Sequence, residues 1–75
     1  MPKQGDVHVV PSEQGWKVEV EGGGRPQSTH ATQAQAARAA RDLARKNESE
    51  LLIHGRDGRV RERSTYGRDP RATKG

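Results

Sequence analysis

The chain has 75 residues, a formal net charge of +4, no cysteine and only 28% hydrophobic residues. That length allows one domain at most, and without thiols neither a disulfide framework nor a thiolate metal site can stabilise it. No apolar run approaches a membrane span, and Met1 to Gly5 is polar where a signal peptide would be apolar, so the cytoplasm is the expected compartment.

In chain order, residues 1–5 read as a loose N-terminal tail and residues 6–66 as the domain. Val7-His8-Val9-Val10 is a β-branched run closed by Pro11, and Ser12 to Gly15 supplies turn residues. Trp16 to Glu21 alternates, with Trp16, Val18 and Val20 on one side and Lys17, Glu19 and Glu21 on the other. Period two with β-branched residues marks a half-buried strand, so the two runs predict an antiparallel hairpin. Gly22-Gly23-Gly24-Arg25-Pro26 breaks the strand and reads as a loop.

Thr32 is a candidate N-cap, with Gln35 three residues later completing a capping box. Gln33 to Lys46 is rich in Ala, Arg and Gln, good helix formers. Ala36, Ala40, Leu43, Ala44 and Asn47 share one helical face, and the small side chains of its alanines let a helix sit close on a sheet. Leu51-Leu52-Ile53-His54 predicts a third strand, Asp57-Gly58 a hairpin turn, and Arg59 to Ser64 a fourth strand with Val60 inward and Arg59, Arg61 and Arg63 outward. Residues 67–75 read as a basic tail.

The expectation is an α+β fold: a single ββαββ domain, a four-stranded antiparallel sheet with one helix on one face. The covered face would hold Val7, Val9, Trp16, Val18, Val20, Leu51, Ile53 and Val60. The open face would hold His8, Val10, Lys17, Glu19, Leu52, His54 and the three arginines. Strand order stays open. Trp16 is expected in the core, and Tyr66 as a strap over the sheet edge.

Several of these segments together resemble a family of small bacterial proteins, domain of unknown function 2188. They are Val9-Val10-Pro11 with Gly15-Trp16-Lys17-Val18, Thr32 with Ala at 36, 40 and 44, Leu51 through Gly58, and Tyr66-Gly67-Arg68-Asp69-Pro70. The resemblance spans Asp6 to Pro70. It implies a compact ββαββ domain and no activity, since the family has none assigned, and it carries over no functional residue.

No motif points to catalysis or a cofactor. Gly22-Gly23-Gly24 lacks the Gly-Lys-Ser/Thr of a P-loop and the spacing of a dinucleotide fingerprint. The serines have no evident base, and Glu19 and Glu21 face expected solvent rather than a cleft. His8 and His54 share the expected open face, but metal sites usually need three or four convergent ligands, and no acidic residue is clearly placed with them. The expected chain is therefore no enzyme and needs no cofactor or metal.

The charge is unevenly placed. Residues 1–54 carry seven basic and seven acidic groups, whereas residues 55–75 carry seven basic against three acidic, the whole of the +4. Two readings follow. Arg59, Arg61 and Arg63, flanked by Arg56 and Arg68, could neutralise phosphates of DNA or RNA without reading sequence; the same stripe could only guard an edge strand against aggregation. Alternatively, the thin core and the open-face Val10 and Leu52 suggest a protein-interaction or homodimerisation module. No membrane partner and no small-molecule substrate is expected.

Overall fold

The β-branched run at the start of the chain becomes the centre of the sheet. A computed structural model describes residues 5–24 and 26–66. The elements are β1 (Val7–Ser12), β2 (Gly15–Val20), β3 (Ser28–His30), α1 (Gln33–Asn47), β4 (Glu50–His54) and β5 (Val60–Thr65). β1 pairs antiparallel with β2 from Val7↔Val20 to Ser12↔Gly15 and parallel with β4 from Val7↔Leu51 to Val9↔Ile53. Central placement explains why Val7 and Val9 are fully buried. Pro11, which has no N–H to give a ladder, lies past the last β1 residue that pairs with β4.

The fold class stands, but the expected four-stranded antiparallel sheet is corrected. The sheet has five strands in the order β3-β2-β1-β4-β5, and it is mixed. The added strand, Ser28-Thr29-His30, pairs antiparallel with β2 through Trp16↔His30, Lys17↔Thr29 and Val18↔Ser28. α1 is then a crossover from β3 to β4, and a helix between two strands of one sheet returns the chain to its starting end, so β4 runs parallel to β1.

The second correction concerns Val60. β5 pairs with β4 at Ile53↔Glu62 but at His54↔Val60, which leaves Arg61 as an extra residue in a bulge. One extra residue reverses the faces of what precedes it. Val60 is therefore paired with open-face His54 and is 49% exposed, the large hydrophobic side chain left exposed among the described residues.

α1 begins where its sequence predicts: the Thr32 hydroxyl accepts from the Gln35 N–H at 3.1 Å, satisfying one orphan donor of the first turn. At the far end Glu48 takes a left-handed conformation (φ 54°), its N–H bonded to the Arg45 carbonyl, while the Ser49 N–H reaches back to the Ala44 carbonyl. This is a Schellman arrangement on a non-glycine residue. Ala36, Ala37, Ala40 and Ala44 bury against Val7, Val9, Trp16, Val18, Leu51 and Ile53, with Val20, Leu43 and Tyr66 at the margin. The small helix residues make the thin apolar supply sufficient, because the sheet's own Val, Leu, Ile and Trp side chains fill the space between the layers. Among the described residues no helix is long and apolar enough to cross a membrane.

Candidate functional site

The β4–β5 hairpin carries the basic residues singled out by the sequence, and it does not align them as one stripe. Arg59 precedes β5, with its N–H bonded to Asp57 Oδ1 at 3.1 Å. Arg61 occupies the bulge, its side chain lying over buried Gly55. Arg63 pairs with Leu52 and so stands on the open face. Their side chains are 85%, 66% and 64% exposed. Asp57 lies 3.9 Å from both Arg59 and Arg61, and Glu50 lies 3.5 Å from Arg63. Exposed pairs at such separations are worth about 0–1 kcal/mol, so the guanidinium groups stay available to a stronger anion. Arg56 is set apart: its guanidinium sits 5.6 Å from the ring centroid of Trp16. Arg68 lies outside the described residues.

The apolar pair singled out on the open face is already largely covered. Leu52 is 7% exposed within the single chain, and Val10, opposite Lys17, is half-buried. Covering Leu52 therefore needs no second copy. Tyr66, just past β5, is partly buried against the core, with its N–H bonded to the Ser49 carbonyl at 3.1 Å and the Arg45 guanidinium 5.7 Å from its ring centroid.

A cluster that sequence reasoning left unassembled lies on the same open face. His8 stands on central β1, opposite Glu19 on β2 and Leu52 on β4. Glu21 and His54 are its diagonal neighbours on the two sides, within reach of long side chains. His8 Nε2 lies 2.9 Å from Glu21 Oε2, His8 Nδ1 lies 2.9 Å from His54 Nε2, and His54 Nδ1 lies 2.8 Å from the Gly58 carbonyl oxygen. The ring centroids are 5.1 Å apart. The Gly58 carbonyl and the Glu21 carboxylate are acceptors, so His54 Nδ1 and His8 Nε2 face them as donors. The signal for this cluster was the register, which no single strand displays. The third histidine, His30, is bonded instead to Ser28 Oγ at 2.8 Å on β3.

Among the described residues, no group of three or more His, Cys, Asp or Glu converges on a metal position. The hollow over the open face is lined by His8, Val10, Glu19, Glu21 and His54 with the Gly22–Gly24 loop, and it is shallow and open to solvent.

No curated protein and no solved structure is a match to this chain. A family model does match it over residues 7–66, from the first residue of β1 to Tyr66 just past β5, and the chain belongs to the family described as uncharacterized protein conserved in bacteria (DUF2188).

Proposed function

We propose that the domain is a non-enzymatic binding module that takes nucleic acid weakly, and without reading sequence, through the β4–β5 hairpin. The observation that carries this reading is the exposure of Arg59, Arg61 and Arg63, each more than 60% exposed on one hairpin with carboxylates no nearer than 3.5 Å. A two-stranded ribbon fits a duplex groove, and phosphate oxygens offer guanidinium groups the paired contacts that Asp57 and Glu50 do not make. Among the described residues the open face bears no Trp, Tyr or Phe for base stacking, which favours duplex phosphate over single strands. The test is duplex DNA and RNA binding by fluorescence anisotropy at low and near-physiological salt. Changing Arg59, Arg61 and Arg63 together to Ser should weaken binding strongly at low salt, and affinity unchanged in that variant removes the reading.

A second reading is supported by a different observation. β5 is an edge strand, six residues long, and its first residue, Val60, is 49% exposed. Such an edge can accept another strand, from a partner protein or a second copy. Light scattering of the purified chain and of a Val60→Lys variant tests it: a mass above one chain that falls in the variant supports edge pairing, and a single-chain mass in both argues against self-association.

A further inference from the structure

Folding separates charges that cancel along the first two-thirds of the chain. Residues 5–24, which hold β1 and β2, carry four acidic groups against one basic, whereas α1 carries Arg38, Arg41, Arg45 and Lys46 against Asp42. α1 is therefore a +3 element, in an arrangement that its own stability does not favour. Arg38 and Arg41 are three residues apart and Arg41 and Arg45 four, spacings at which like charges destabilise a helix. The first turn holds no acidic residue, although the helix dipole favours one there. Among the described residues, neither these three arginines nor Asp42 makes an ion pair.

At 3.6 residues per turn, positions 38, 41 and 45 lie within about 60° of one another on a flank of α1, about 4.5 and 6 Å apart along its axis. Arg38 and Arg45 are exposed and Arg41 is half-buried. Ala34 and Ala37 line the same shallow trough as Arg38 and Arg41, and side chains that small leave the guanidinium groups room to reach an anion lying along the helix. α1 packs on β1, β2, β3 and β4 and does not reach β5. The flank meets the β5 edge at Arg45, whose guanidinium is 5.7 Å from the ring centroid of Tyr66, just past that strand. Arg63 stands three residues before Tyr66 on the opposite face of the sheet, so the basic surface continues round the edge. Glu62, exposed and paired with core-face Ile53, is the single acidic group on β5.

We propose that Arg38, Arg41 and Arg45 form a second row of phosphate contacts, on the same nucleic-acid duplex that the β4–β5 hairpin takes, so that the duplex is held from both sides of the β5 edge. The inference rests on the hairpin reading for its ligand and goes beyond it in making α1 a contact surface. A phosphate backbone is a row of like charges at short intervals, the complement of a row of one sign along a helix flank. Each guanidinium can donate two parallel bonds to a phosphate. The acidic strand β2 lies three places from β5 in the sheet order, which keeps its carboxylates away from the duplex.

The test uses the full chain and duplex DNA, with affinity followed by anisotropy from low salt upward. Arg38→Gln, Arg41→Gln and Arg45→Gln together should lower the slope of log K against log salt by about 2–3, at about 0.9 per lost phosphate contact. Lys at the same three positions should keep the slope, because an ammonium still meets phosphate as a point charge. Glu62→Gln should tighten binding about two- to fivefold, the range of one exposed charge pair. Amide shifts of the unaltered chain on adding duplex should mark the Arg38–Arg45 flank together with the hairpin, and this map decides the matter even if a variant fails to fold. An unchanged slope in the glutamine variant, with the hairpin variant's slope lowered, overturns the α1 row and leaves the hairpin reading standing. A slope lowered by the α1 changes alone supports the row and removes the hairpin reading. No binding by the unaltered chain at low salt overturns both.

Discussion

Gly15 opens β2 with a φ of +139°, a conformation that side-chain-bearing residues rarely adopt. A Cβ built there would lie 2.4 Å from the His30 carbonyl oxygen and 3.0 Å from that of Ala31. These are backbone atoms of β3 and its exit, so they cannot rotate aside. The φ strain alone costs about 1–3 kcal/mol. Relieving the overlap requires β3 to move off β2, which loses the ladder at Trp16↔His30. The sum for Gly15→Ala is about 2–4 kcal/mol, a large share of the 5–15 kcal/mol that stabilises ordinary domains. For a domain of this size that lowers the melting temperature by about 10–25 °C. Gly22→Ala is the matched control: its φ is +77°, but nothing lies within 4 Å of the new Cβ, so it carries the strain without the collision. Thermal unfolding followed by circular dichroism compares the two. Equal melting temperatures would refute the reasoning, because they would mean that β3 does not press on β2 at Gly15.

Ser49 is 3% exposed and its hydroxyl has no hydrogen-bond partner among the described residues; since a buried unpaired polar atom costs free energy, Ser49→Ala should leave stability unchanged or raise it by up to about 1 kcal/mol in chemical denaturation. Glu48→Gly should stabilise by about 0.5–1 kcal/mol, because it removes the left-handed strain at the end of α1, and a loss of stability would contradict the Schellman assignment. Thr32→Ala should cost about 1 kcal/mol by removing the cap to Gln35, read as a shift in the denaturant midpoint. Leu52→Glu should unfold or severely destabilise the chain at any concentration, since Leu52 is buried within one copy; a folded variant that differs only in mass would restore a dimer across the open face.

The helix and the first hairpin were legible because each carries its own signals. Thr32, the Ala positions and the alternation from Trp16 to Val20 point to the same answer at every level, and the faces of His8, Val10, Leu52 and His54 followed from period two. What was not legible depended on relations between segments. β3 is three polar residues, Ser28, Thr29 and His30, with no apolar alternation, and it exists because β2 offers an edge. The bulge at Arg61 is set by how β5 meets β4, so Val60 changed faces with nothing local to announce it. The His8–Glu21–His54 cluster assembles across three strands at diagonal positions, and it needed both the hairpin register and the parallel pairing of β1 with β4. The basic charge of the last third was plain in the sequence. Its division among a bulge, a turn and the open face was not.

The most direct test of the proposed function is the salt dependence of duplex binding. Each phosphate contact contributes a slope of about −0.9 to log K against log salt. The unaltered chain should bind duplex DNA with a slope steeper by about 2–3 than the variant with Arg59, Arg61 and Arg63 changed to Ser, as three lost phosphate contacts require. No binding by the unaltered chain at low salt, or the same slope in both proteins, would contradict the assignment and leave these arginines as protection for an exposed edge strand.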